Sequence, residues 1–204
     1  MGLLLLLLRV SVNESALFTK TKDENVARGD VRLILQSPKQ LWKFLMCILA
    51  GMSIWYMVAL LLTFAPELAQ ALGYTQDIKV GQIMILVSSG MTVGGIACGV
   101  LGQMTNSRKI PMVIFWAVST TGIALLLTGL IPQHWLNPTY FIIGIFSGIQ
   151  PLYFLSVAEQ FGTNLRATVA TAAPNIMRAS TVPIIASFMW LKESYAPPTA
   201  ALMV

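Results

Sequence analysis

The chain has 204 residues, of which 56% are hydrophobic and only 10% charged, with a net charge of +5. Soluble domains carry about 25% charged residues, so this composition excludes an ordinary soluble domain and points to a polytopic membrane protein whose main partner is the lipid bilayer. A basic balance in a soluble chain would suggest nucleic acid. Here Lys and Arg flank apolar stretches instead, and no nucleic-acid partner is expected.

The opening, Met1–Val10, reads MGLLLLLLRV. It lacks the basic start and small-residue cleavage site of a signal peptide, and residues 1–8 read as the tail of a truncated span. Residues 9–43 form a basic loop containing Arg9, Lys20, Lys22, Arg28, Arg32, Lys39 and Lys43. Within it, Val31–Leu41 mixes Leu33, Ile34 and Leu35 with Arg32 and Lys39. It reads either as an amphipathic helix on the membrane surface or as a plain linker.

Residues 44–204 read as a helical membrane bundle. A spanning helix needs about 20 apolar residues, and five stretches qualify: Phe44–Ala65, Val80–Gln103, Ile110–Ile131, Pro138–Ala158 and Ala167–Leu191. The first four contain no charge, and the fifth contains only Arg178. The weak alternating segments of a membrane β-barrel are missing. Pro197-Pro198 reads as a turn, and Thr199–Val204 as the start of a further span. The expectation is an all-α membrane protein with five full transmembrane helices and partial ones at both ends, a fragment of something larger.

The connections alternate in charge. Odd-numbered ones hold ten Lys or Arg, and even-numbered ones hold two, Lys79 and Lys192. Lys and Arg accumulate in cytoplasmic loops, so the long basic loop is expected to be cytoplasmic and the first span to run outward. The expected location is a bacterial inner (plasma) membrane.

Gly90, Gly94, Gly95, Gly99 and Gly102 recur along the second span, and Gly144 and Gly148 along the fourth. Small residues allow close helix approach in lipid, so tight packing is expected at both sets. Pro151, Pro174 and Pro183 lie inside spans, where proline removes a backbone donor and bends a helix.

Arg178 is the leading candidate for function. It lies twelve residues after Arg166, about 18 Å along a helix, near the middle of the bilayer. A charge at that depth costs about 2.5–3.5 kcal/mol on insertion scales and normally faces a bundle interior or a wet cavity. Thr171 and Asn175 share its helix face, and Ala173, Ile176 and Ile184 oppose it. No Asp or Glu lies deep in a span. The guanidinium is therefore left for an anionic substrate, for backbone carbonyls and water, or for an acid elsewhere. A carboxylate or phosphate suits its fork of donors. Gln150, Trp55 and Tyr56 also sit mid-span, either lining the pathway or serving packing. At the cytoplasmic face Glu159, Arg166 and Arg108 are candidate gate charges that pair in one state and part in another, while Lys109 only anchors its helix.

Enzymatic readings find little support. The only histidine, His134, falls in an outer turn, and the Gly144–Gly148 segment resembles an intramembrane serine protease loop without a partner histidine. Cys47 and Cys98 sit apart in apolar spans with no metal-ligand spacing, so no disulfide, metal or cofactor is expected.

Two loops carry a family resemblance. Ala158–Thr168 (AEQFGTNLRAT) resembles the joint between the tenth and eleventh helices of major facilitator superfamily transporters, which in sugar and organic-acid members reads Glu, a few residues, then Leu-Arg-Ala-Thr. Gly99–Lys109 (GVLGQMTNSRK) resembles the loop between the eighth and ninth helices. Asn106 or Thr105 stands where that loop has its Asp. The resemblance implies the C-terminal half of a twelve-helix bundle, with substrate bound between two six-helix halves. It implies alternating access, a missing N-terminal half as partner and, in many members, coupling to protons. The alternative from the residues alone is a small membrane scaffold or assembly subunit without transport activity.

Overall fold

The computed structural model describes residue 34, residues 37–75 and residues 78–204, without side-chain placement for residues 163 and 164. The tail expected over residues 1–8, and most of the basic loop, lie outside the described residues. Every regular element among the described residues is helical.

Helix α1 (Pro38–Tyr56) starts six residues before the apolar stretch, with extended Ser37 as N-cap and Pro38 in the first turn. Proline suits that position because its missing N–H would be unpaired there anyway. Helix α1 runs directly into a π-helical turn, Met57–Leu62, followed by short α2 (Ala65–Ala71). The wide turn brings the Thr63 hydroxyl within 3.1 Å of the Val58 carbonyl, five residues back. Helices α3 (Val80–Met104) and α4 (Lys109–Leu127) follow, then a 3-10 turn at Gln133–Trp135. The chain continues through α5 (Leu136–Ser147), α6 (Gln150–Glu159), α7 (Thr163–Ala179), α8 (Thr181–Leu191) and α9 (Pro197–Met203).

Four runs are long and apolar enough to cross a membrane: Pro38–Leu62, Val80–Met104, Lys109–Leu127 and Gln133–Glu159. The fifth expected span is not one helix but two, broken at Ser180. Pro183 explains the break, because it offers no N–H to the carbonyl four residues back and its ring crowds that carbonyl. At the break Ser180 Oγ donates to the Met177 carbonyl at 2.5 Å, and Thr181 Oγ1 to the Arg178 carbonyl at 2.8 Å. Helix α7, in contrast, continues unbroken through Pro174.

The closest helix contact is α3 on α5. A Cβ built on Gly90 or Gly94 would strike backbone atoms of Phe141, Gly144 and Ile145, and one on Gly144 or Gly148 would strike backbone of α3. These four glycines meet the close-packing expectation. Gly99 does not, for an added methyl there would have nothing within 4 Å, and at Gly102 the nearest atoms would be 3.9 Å away. A second crossing sets α7 and α6 against α1 at Gly51, where Met177 and Tyr153 fill the space a side chain would need. Tyr153 also donates its hydroxyl to the Cys47 carbonyl.

Candidate functional site

Helix α7 has two unlike faces. Val169, Ala173 and Met177 are fully buried against α1 and α6. Thr171, Asn175 and Arg178 lie on the other side, and the described residues leave this polar stripe largely uncovered. Ile184 is buried as the sequence predicts, but Ile176 stays exposed and belongs to the flank of the helix.

Arg178 is held by an aromatic face. Its guanidinium carbon lies 5.1 Å from the centre of the Trp55 ring. An arginine over tryptophan is attracted by the ring quadrupole, worth about 0.5–2 kcal/mol depending on desolvation. Arg178 forms no salt bridge among the described residues. Arg178 is exposed among the described residues, so guanidinium N–H groups remain accessible to an outside acceptor. The Trp55 indole N–H is buried with no hydrogen-bond partner among the described residues.

The remaining mid-span candidates divide. Asn175 donates its side-chain N–H to the Thr171 carbonyl at 2.9 Å. That fixes the amide and leaves its oxygen as acceptor on the Arg178 face. Gln150 is half-buried at the start of α6, beside Pro151. Tyr56 is engaged elsewhere, because its hydroxyl donates to the Ala201 carbonyl and ties α1 to α9.

Charged residues gather at both ends of the bundle. Arg108, just before α4, pairs with Glu159 at the end of α6. Nearby, Lys43 donates to the Gln160 carbonyl at 2.8 Å and sits 5.6 Å from the centre of the Phe161 ring. Arg166, the third gate candidate, is exposed and makes no ion pair among the described residues. Asn106, in the turn before Arg108, has φ 48°, a left-handed conformation that Asn tolerates better than most residues. Thr105 donates its hydroxyl to the Leu101 carbonyl at 2.7 Å.

Two groups escaped the sequence reading. At the opposite end Lys192 Nζ lies 3.0 Å from Glu67 Oε1, joining the ends of α8 and α2. Their separation of 125 positions gives no local signal for the pairing. The second group is Ser88 and Thr92 in the middle of α3, where the Thr92 hydroxyl donates to the Ser88 carbonyl at 3.0 Å. Their four-residue spacing was the available signal, masked by the glycines around them. In the turn after α2, Tyr74 donates to the Ile131 carbonyl at 2.7 Å, and burial pushes its phenol pKa upward, keeping the donor protonated at neutral pH. No group of three or more His, Cys, Asp or Glu placed to hold a metal occurs among the described residues.

A family model described as Major Facilitator Superfamily matches residues 1–184. The chain belongs to the major facilitator superfamily. Neither the curated proteins nor the solved structures gave a match. The superfamily's members are membrane transporters, and the apolar helices fit an integral membrane protein of that kind. In this superfamily member the Arg108–Glu159 pair links the α3–α4 turn to the α6–α7 joint, the two loops that carried the resemblance. The two side chains are 43% and 37% exposed, and such surface pairs contribute about 0–1 kcal/mol. Arg108→Gln is therefore expected to move the unfolding free energy in detergent by no more than about 1 kcal/mol. A larger loss would show a structural bolt.

Proposed function

We propose that this chain is the C-terminal half of a twelve-helix secondary transporter that moves a small polar or anionic metabolite by alternating access. The observation that carries the reading is Arg178, which lies over the Trp55 ring, is exposed and has no ion-pair partner among the described residues. An uncovered polar stripe on α7 has no place against lipid, because intramembrane polar and charged groups face a bundle interior or a wet cavity. A second six-helix half supplies such a cover, with the five spans of this chain forming the facing wall.

In this reading Arg178, on its Trp55 platform, and the Asn175 oxygen hold the substrate, and Gln150 borders the pathway. Tyr56 contributes by packing. Arg108, Glu159 and Arg166 are the cytoplasmic gate charges, with Arg108 and Glu159 paired when the cavity opens outward and parted in the other state. No Asp or Glu lies deep within the described spans. A proton carrier, if transport is proton-coupled, then belongs to the other half. The basic end faces the cytoplasm of a bacterial inner membrane, as charge asymmetry implies.

The test is uptake into proteoliposomes by the full-length protein, with carboxylates, sugars and amino acids offered in turn. The expected result is saturable uptake of one anionic or polar class, with a much higher KM in Arg178→Ala. Normal transport of every substrate by Arg178→Ala would overturn the assignment of the pathway.

A further inference from the structure

A small cavity lies between the first span, α4 and α5, away from the Arg178 stripe. Ser53 and Met57 reach it from the first span, Trp116, Ser119 and Thr120 from α4, and Ser147 from the end of α5. Ser119 and Ser147 are buried, while Ser53 and Thr120 are exposed at its rim. Its volume is about 20 Å³. One water needs about 10–15 Å³ and two to four polar partners, so this space admits a single water and no metabolite.

Trp116 supplies the donor. Its Nε1 is buried with no hydrogen-bond partner among the described residues. The same is true of Trp55 Nε1, but Trp55 does not line this cavity. The Trp116 ring packs on Tyr153, with centroids 5.5 Å apart, and Tyr153 is itself tied to the Cys47 carbonyl. The indole is thereby packed in place. An indole nitrogen can only donate, and a buried donor left without an acceptor is costly.

The serines supply acceptors. Ser147 gives its proton to Met57 Sδ at 3.1 Å. A hydroxyl has one proton, so in the 2.9 Å contact between Ser119 and Ser147 it is Ser119 that donates. The Ser119 oxygen therefore keeps its own lone pairs for another donor. Ser53 likewise spends its proton on the Ala50 carbonyl at 2.8 Å and leaves its oxygen as an acceptor. One unpaired N–H beside hydroxyl oxygens calls for a group that both accepts and donates. A cation cannot accept the indole proton, and an acyl chain can do neither.

We propose that this cavity binds one structural water, which accepts the Trp116 indole N–H and donates to Ser119 Oγ and to a rim hydroxyl, Ser53 or Thr120. The water completes a polar node that joins the first, third and fourth spans where the Ser119–Ser147–Met57 chain already links them. The site is a part of the fold and does not depend on which substrate is carried.

The experiment reads the indole N–H of Trp116 by ultraviolet resonance Raman in the full-length protein in bilayers. Subtracting the spectrum of Trp116→Phe isolates this tryptophan from the others. The expected band is that of a hydrogen-bonded indole. Ser119→Val removes the acceptor and fills the space, and is expected to shift the Trp116 band to the position of a free N–H, with Trp116→Phe again subtracted in that background. A free N–H in the unaltered protein, or a bonded one that persists in Ser119→Val, would overturn the proposal. A second measurement needs no substitution. A structure of the full-length protein at a resolution that shows ordered solvent is expected to place an isolated solvent atom within hydrogen-bond reach of Trp116 Nε1 and Ser119 Oγ. A protein side chain, a lipid chain or no density at that position would overturn the proposal as well.

Discussion

Arg178→Ala in the full-length transporter raises KM for an anionic substrate by about 10- to 100-fold and leaves the protein no less stable. The first half follows from what the guanidinium does in the proposed site. A hydrogen bond to a charged partner contributes about 1.5–3 kcal/mol, and each 1.4 kcal/mol is about a factor of ten in binding. The second half follows from the cost of the charge itself. A mid-membrane arginine costs about 2.5–3.5 kcal/mol to insert, and its contact with Trp55 returns only part of that. Removing it relieves more than it forfeits, so the melting temperature in detergent is expected to hold or rise. A structural arginine would give the reverse pattern, with lower stability and an unchanged KM. Arg178→Lys separates charge from geometry. Lysine keeps the positive charge but has neither the planar fork nor the stacking surface, and recovers only a fraction of the lost affinity. Trp55→Leu has a smaller effect, because it removes the platform while sparing the guanidinium. Radiolabelled uptake and thermal unfolding, measured on the same four proteins, decide between these outcomes.

Four of the five expected spans and the polar stripe of α7 were legible because both rest on local regularities. Twenty apolar residues in a row announce a crossing helix whatever the rest of the chain does, and Thr171, Asn175 and Arg178 align by helical period alone. The Arg108–Glu159 contact was legible for another reason: both residues sit in short turns at one end, where few other charges compete. What was not legible depended on partners far along the chain. Pro174 and Pro183 look alike in sequence, yet α7 passes through one and the chain breaks before the other. At the second, the Ser180 and Thr181 hydroxyls donate to carbonyls at the break, an arrangement that becomes visible only with the backbone in place. Tyr56 and Trp55 are adjacent aromatics with identical sequence standing. One is consumed by the Ala201 carbonyl and the other supports Arg178. The Glu67–Lys192 pair joins residues from the first and last spans of the bundle, and no periodicity connects them.

The glycines of the second span give the sharpest case, because one motif contains residues of opposite consequence. Gly94→Ala is expected to destabilise the bundle by about 2–3 kcal/mol or more, and Gly99→Ala to leave it unchanged or stabilise it by up to about 1 kcal/mol. At Gly94 an added methyl collides with the carbonyl of Ile145 on α5. Backbone cannot rotate aside as a side chain would, so α3 and α5 must separate along their whole contact, which includes Gly90, Gly144 and Gly148. At Gly99 the same methyl meets nothing within 4 Å. There the change only relieves the helix of glycine's conformational freedom, a gain of about 0.8–1.0 kcal/mol in water-exposed helices and at most that in lipid. Gly51→Ala tests the intermediate situation, since its new methyl meets the Met177 thioether and the Tyr153 ring rather than backbone. Methionine adapts readily to altered packing, so Gly51→Ala should fall between the other two. Thermal unfolding of the three variants in one detergent gives the order directly. If Gly94→Ala and Gly99→Ala melt together, close α3–α5 approach is not what holds this bundle, and the small residues of the second span lose their packing role.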